Sequence, residues 1–299
     1  MKPIIAICGP TASKKSHVAI AIAKRFPSEI ISADAFQIYR GMDIGTAKMR
    51  PEETKGVPHH LIDILDPVDS FSVHDYQSLA RQKISEIRKR GNTPIIVGGS
   101  GLYLQAVLYD YRFEGKKRLL DDVDVTLSNA DLQNRLREIN PVLADTIHQN
   151  NRRRLIRALE IAKSSKEANV KMNAVPFYQN LVLIGLSPPR ERLYEAINNR
   201  VDKMIESGLL EEVKRLLASG LGTQAAQAIG YKELIVHLEG GCTLESAVEN
   251  IKQNTRRYAK RQLTWFKNQM SLQWFDVNPD DLEGTIRSVM DYINEKAKP

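Results

Sequence analysis

The apolar run PIIAIC leads directly into GPTASKKS, residues 9–16, and this junction constrains the fold more than any other stretch of the chain. Gly9, Pro10, Thr11, Ala12, Ser13, Lys14, Lys15 and Ser16 nearly follow the spacing G-x-x-x-x-G-K-[ST] of a phosphate-binding loop. The stretch also sits where such a loop belongs, after a strand and at the opening of a helix. In a loop of this kind backbone N–H groups and the helix N-terminus hold phosphate oxygens, a lysine adds charge, and the last hydroxyl ligates magnesium. Lys15 and Ser16 fill those last two places, and the misfit is Lys14, where the spacing asks for glycine. On local pattern alone, a strand-to-helix turn without a ligand remains the alternative.

The following residues repeat the rhythm of strand and helix. PIIAIC, a helix over about 15–25, EIISAD, HHLIDI, a helix through 73–88 and TPIIVGG read as βαβ units, hence a parallel sheet with covering helices. In such sheets ligands sit beyond the carboxyl ends of the strands. Three expected strands end in groups suited to chemistry: the 9–16 loop, Asp34, and GGSGLY at 98–103. Asp34 suits a general base or a magnesium ligand, and equally an Asx turn. The glycines of GGSGLY suit close approach of a ligand to the backbone. From 111 to 177 the chain turns polar and helical in pattern, NLVLIGL at 180–186 resumes a buried strand, and amphipathic helices follow over 190–267. The expected architecture is an α/β core from 1–111 and 178–299, with a helical insertion over 112–177.

With 299 residues and 42% apolar content, the chain can fill such a core. It has no apolar run of about 18 residues and no secretory leader pattern, so a cytoplasmic protein without membrane association is expected. Cys8 and Cys242 form no C-x-x-C pair, and the adjacent His59 and His60 make a poor metal pair. The formal net charge of +7 gathers in NNRRRLIRALE (150–160) and TRRYAKRQLTWFKN (255–268). Such stripes suit an anionic partner such as nucleic acid, or simply a solvated helix face. In the second, Ala259, Leu263, Phe266 and Met270 form an apolar stripe, while Arg257, Lys260, Arg261 and Thr264 share another face.

Taken together, GPTASKKS, EIISADAFQIYRGMDIGTAK, PHHLIDILDP with FSVHDY, PIIVGGSGLYLQAVL, IHQNNRRRLIRALEI, INNRVDKMIESGLLEEV, QAIGYKEL and RRYAKRQLTWFKN resemble, in order, the tRNA dimethylallyltransferase (tRNA isopentenyltransferase) family. The resemblance implies a P-loop NTPase-like core with a helical insertion that contacts tRNA. It implies transfer of a dimethylallyl group from dimethylallyl diphosphate to N6 of the adenosine 3′-adjacent to the anticodon, assisted by Mg2+, by an enzyme expected to be a monomer. Under it, Asp34, Ser100 and Arg200 are catalytic, residues 9–16 bind the diphosphate, and Ser16 holds the metal. Asp34, Ala35, Phe36, Gln37 and Ser100 approach the tRNA, as do Arg153, Arg154 and Arg157 of the insertion; Arg256, Arg257 and Arg261 are further candidates for phosphate contacts.

Three positions depart from the family pattern: Lys14 for glycine, Ala35 for serine and Ser100 for threonine. Lys14 adds charge that favours a diphosphate and bulk that opposes it. Two other readings stay open at this level: a P-loop small-molecule kinase that binds ATP, and a non-catalytic tRNA-binding relative.

Overall fold

Every residue of IIAIC at β1 (Ile4–Cys8) is buried, so this strand has no solvent face. That is the mark of a parallel strand covered on both sides. The computed structural model describes residues 2–111, 124, 126–164 and 172–296. The chain divides into two compact units, one of Met1–Asp110 with Val175–Pro299 and one of Tyr111–Ala174. Parts of the expected insertion, 112–123, 125 and 165–171, lie outside the described residues.

In the larger unit the chain runs β1, α1 (Lys15–Ala23), β2 (Ser28–Ala33), β3 (His59–His60), α2 (Val73–Lys89), β4 (Thr93–Gly98), α3 (Gly101–Leu108) and β5 (Tyr109–Tyr111). The smaller unit holds α4 (Asn129–Ile139), α5 (Pro141–Thr146) and α6 (Arg152–Ser164). After β6 (Met172–Pro176) come β7 (Leu181–Ser187), α7 (Arg190–Glu206), α8 (Leu209–Ser219), α9 (Tyr231–Leu238), α10 (Leu244–Gln269), β8 (Gln273–Asp276) and α11 (Leu282–Lys296).

Six strands form one parallel sheet in the order β3-β2-β4-β1-β7-β8, and β5 and β6 pair in a separate two-stranded sheet. Alternation along β1 divides the core. Ile4, Ala6 and Cys8 pack with residues of α2, α3, α8, α9 and α10, whereas Ile5 and Ile7 pack with α1 and α11. The period of two thus becomes a three-layer α/β/α sandwich, the expected fold class.

The smaller unit buries Leu132, Leu136, Ala144, Ile147, Leu155 and Leu159 in its own core. Its helix starts are written in the sequence. Ser128 Oγ accepts from Asp131 N at 3.2 Å to cap α4, and Asn140 Oδ1 accepts from Leu143 N at 3.0 Å to cap α5, with Pro141 in the first turn.

One expected strand is shorter than its sequence suggests. HHLIDI is extended only at His59–His60, because Leu61 (φ 61) and Asp63 (φ 54) take left-handed backbone and turn the chain. The turn lets Ile64 N and Asp63 N donate to Ile38 O at 2.9 Å and Gln37 O at 3.2 Å. A strand pattern gives way here to tethering of the segment that follows β2.

Candidate active site

Sheet register decides which loops meet. Gly98 at the end of β4 lies opposite both Ala33 of β2 and Cys8 of β1, so the 9–16 loop, Asp34 and the Gly99–Ser100 turn leave the sheet side by side. They border a cavity of about 480 Å³, walled further by α7 and α10. Thr11, Lys15, Ser16, Asp34, Ala35, Phe36 and Gln37 line it, with Arg200 from α7 and Arg257, Tyr258, Arg261 and Gln262 from α10. A second cavity of about 600 Å³ is bordered by Ala12, Ser13, Lys14 and His17; Lys15, Ser16 and Arg200 border both.

The loop has the backbone of its spacing without the glycine. Lys14 takes φ 63 and ψ 11, the left-handed conformation that glycine adopts without strain, and Ala12 is left-handed as well at φ 61. Lys14 precedes α1 without a side-chain cap, so the first turn of the helix presents uncapped N–H groups where a phosphate would bind. Under the loop, Gly9 has no room for a Cβ, which would come within 2.8 Å of Ser13 Oγ and 3.0 Å of Leu186 O. Ser13 Oγ is buried without a hydrogen-bond partner.

Lys15 Nζ donates to Pro10 O at 3.2 Å. Burial pushes its ammonium down to about 8; Asp34 opposes that shift and Arg200 adds to it. Arg200 is likewise lowered by burial and raised by Asp34. Two half-buried cations therefore share a nearby carboxylate on the cavity wall, an arrangement that favours a bound anion. The Cys8 thiol behind them is pushed up to about 12 by burial, with Lys15 opposing, which keeps it an unreactive core group.

Asp34 does form the turn that strand-end aspartates often form: Oδ1 accepts from Phe36 N at 2.9 Å and Gln37 N at 3.3 Å. Both bonds fall on one oxygen, and the carboxylate also borders the cavity, so the turn and a chemical role coexist. The Gln37 carboxamide is held at both ends, accepting from Ser32 Oγ and donating to Thr46 O, each at 3.2 Å.

Ser100 is not among the residues lining the cavity. Tyr258 on the cavity wall has its hydroxyl pushed up to about 12 by burial and by Asp34, opposed by Arg261 and by the nearby Ser100 and Gln262 side chains. The glycines of GGSG also serve a different purpose from the expected approach of a ligand. A Cβ at Gly98 would collide with the Ala33 backbone, one at Gly99 with Gln262 Nε2, and one at Gly101 with the Trp265 ring. The close approach is of the protein to itself.

Of the basic segments, Arg257 and Arg261 face the cavity, and Arg256 Nη1 donates to Asn198 Oδ1 at 2.5 Å. A purely solvated face is therefore not what the α10 arginines form. Arg153, Arg154 and Arg157 are exposed on α6 of the smaller unit, Arg157 paired with Glu160 at 2.9 Å.

Two anchors have no local sequence signal. Gln262 joins the 9–16 loop to the Gly99 turn, and Glu212 of α8 accepts from the backbone N–H groups of Asp43, Ile44 and Gly45 at 3.1, 2.8 and 3.1 Å and from the Tyr231 hydroxyl at 2.6 Å. Glu212 thereby fixes the loop that brings Gly45, Thr46 and Ala47 to the cavity wall. Its partners lie 19 and 167–169 residues away in sequence, beyond any local pattern.

The family model described as IPP transferase matches residues 37–269. The chain is 51% identical to the tRNA dimethylallyltransferase of Bacillus subtilis over 99% of its own length and 98% of that protein's. Among solved structures, the tRNA isopentenylpyrophosphate transferase of Bacillus halodurans is 44% identical, covered over 98% with 99% of this chain, at a TM-score of 0.74. A eukaryotic dimethylallyltransferase captured acting on tRNA is 27% identical at a TM-score of 0.83, over 99% of this chain and 80% of that one. With the family model matched over residues 37–269 and identity sustained along its whole length, the chain belongs to the IPP transferase family.

Proposed function

We propose that the protein transfers the dimethylallyl group of dimethylallyl diphosphate to N6 of the adenosine immediately 3′ of the anticodon in tRNA, releasing diphosphate. The observation that carries this reading is the meeting of Lys15, Arg200 and Asp34 on one cavity, in a chain whose full-length relatives are named tRNA dimethylallyltransferase.

The reaction breaks the allylic C–O bond, whose electron pair leaves with the diphosphate, and forms a C–N bond to N6, which gives up a proton. An adenine amine is a weak nucleophile, so the barrier falls chiefly by stabilising the charge that grows on the leaving diphosphate. Lys15, Arg200 and the N–H groups opening α1 supply that stabilisation, each such donor contributing ~2.7–4 kcal/mol when judged by its removal. Asp34 accepts or orients the N6 proton; its turn fixes the carboxylate through Oδ1 and leaves Oδ2 outside those bonds. Ser100, at the N-cap of α3, supports the wall beside the reacting amine.

Among the described residues no group of three His, Cys, Asp or Glu side chains could hold a metal. The Ser16 hydroxyl on the cavity wall nevertheless fits magnesium, which commonly takes one or two protein ligands and completes its shell with substrate phosphates and water. When bound, the ion supplies further charge neutralisation on the leaving group.

The target base must leave its stack to reach the cavity. Gln37, with Ala35 and Phe36 beside it, meets the adenine, and Arg153, Arg154 and Arg157 meet the tRNA backbone. No described helix is long and apolar enough to cross a membrane; the reading places the protein in the cytoplasm, as a monomer.

The test is incubation of labelled dimethylallyl diphosphate, Mg2+ and bulk tRNA with the protein, followed by mass spectrometry of the nucleosides. Isopentenyladenosine is expected with the wild type and none with Asp34→Ala; failure to modify any tRNA overturns the reading.

A further inference from the structure

Gln262 lies on α10 at 7% exposure and borders the cavity. Its Oε1 accepts from Thr11 N at 2.9 Å, and its Nε2 donates to Gly99 O at 3.0 Å. One carboxamide thus closes a bridge between the loop after β1 and the turn after β4, 251 and 163 residues away in sequence. A carboxamide suits this bridge because its acceptor oxygen and donor nitrogen sit at one planar end, so one group satisfies an N–H and a C=O together.

The bridge acts on a loop that needs holding. Thr11 precedes Ala12, whose φ of 61 is unfavourable for any residue with a Cβ, and Lys14 repeats that strain at φ 63. The Thr11 N–H points to α10 in place of a phosphate, so the direction of this peptide is set by the helix that also brings Tyr258 and Arg261 to the cavity. On the other side the Gly99 turn approaches so closely that a Cβ there would collide with Gln262 Nε2. Gln262 therefore fixes the phosphate loop relative to the turn that carries Ser100.

Resting on the transfer reaction proposed above, we infer that Gln262 is a positioning residue: its carboxamide sets the distance between the loop holding the leaving diphosphate and the turn after β4, which packs against the Ala33–Asp34 end of β2. It touches neither reacting group and acts through Thr11 and Gly99. Displacement of reacting atoms by even an ångström is enough to lower a rate a hundredfold.

The experiment compares wild type with Gln262→Met, which keeps the side-chain length and removes both hydrogen bonds. Single-turnover transfer at saturating donor, calorimetric binding of inorganic pyrophosphate, tRNA affinity and thermal melting are measured together. Gln262→Met is expected to slow transfer about 100-fold and weaken pyrophosphate about 10-fold, with tRNA affinity within about twofold of wild type. Gly99→Ala, which displaces Nε2, should reproduce the defect, and in a Gln262→Ala background, where nothing remains to displace, should add little to it. If Gln262→Met does not fold, Gly99→Ala alone carries the test through the same four measurements. Transfer and pyrophosphate binding within twofold of wild type in the folded variant overturn the inference, as does a loss of tRNA affinity that matches the loss of rate. A wild type that transfers nothing defeats the functional reading; a wild type that transfers while its folded variant does so equally well defeats only the role of Gln262.

Discussion

The β2 strand carries a carboxylate at each end, and the two are used in opposite ways. Glu29, near its start, receives Arg90 Nε and Nη2 at 2.9 and 2.8 Å, Asn92 Nδ2 at 2.8 Å and a His60 ring nitrogen at 2.7 Å. These partners engage both of its oxygens, and the side chain is 6% exposed. Asp34, just past the end of the strand, is held through one oxygen by two backbone amides and borders an open cavity beside two cations. A saturated carboxylate is a structural tie, whereas one with an oxygen to spare next to half-buried positive charge is available for chemistry. Two acids five residues apart are thus separated by what remains for them to bind.

The sharpest test of this contrast is Asp34→Asn. It keeps the shape and loses the charge; we expect transfer to fall about 10³-fold while the melting temperature stays within about 2 °C, measured by single-turnover kinetics and calorimetry. Glu29→Gln should do the reverse, lowering stability by about 2 kcal/mol in urea unfolding while the activity of the folded fraction is unchanged. If both substitutions strike activity, or both strike stability, the division of labour along β2 is wrong.

Acid sharpens the comparison further. Arg90 first, then Asn92 and His60, hold the Glu29 carboxyl at about 2, against burial and below an ordinary value of 4.5. Its contribution is therefore present above pH 4.5 and disappears as pH falls through that value toward 2. Because Arg90 is 47% exposed and screened by solvent, we expect about 1–2 kcal/mol from this source. The stability gap between wild type and Glu29→Gln should close over that window; a gap constant with pH would contradict the assignment.

The smallest effect expected is Lys14→Gly, which relieves a left-handed backbone and removes a side chain from the 9–16 loop. We expect a gain of about 1 kcal/mol in stability and a lower KM for the prenyl donor. An unchanged or higher KM would show that the added charge aids binding more than the bulk hinders it.

Asp34 could be found in the sequence because a polar residue after an apolar run marks a strand end, and parallel sheets place ligands there. The sandwich was legible for the same reason, since its apolar runs and helical periods are local. Glu29 looks no different from any acid at the start of a strand, because Arg90 and Asn92 lie 61 and 63 residues away. Gln262 sits in a basic helix with nothing to mark it, and Glu212 is one of two adjacent glutamates in α8. Glycine misleads in both directions: the loop that needs left-handed backbone carries Lys14, while Gly98, Gly99 and Gly101 are required by crowding from Ala33, Gln262 and Trp265. Local pattern reports backbone and burial well, and reports poorly on neighbours brought in by the topology.

The order of the sheet has a consequence for how the molecule comes into being. β1 lies between β4 and β7, so the Ile4 pairing with Leu181 joins residues 177 positions apart. On a ribosome adding about 5–20 residues each second, β1 waits roughly 9–35 s for that partner. For that interval its β7-facing edge has no native strand to pair with, while the local contacts of α4–α6 can already form. Long-range pairings of this kind make folding slow and leave sticky edges exposed, so refolding from urea should be rate-limited by closure of β1 against β7, and the chain should depend on chaperones more than its stability alone would suggest.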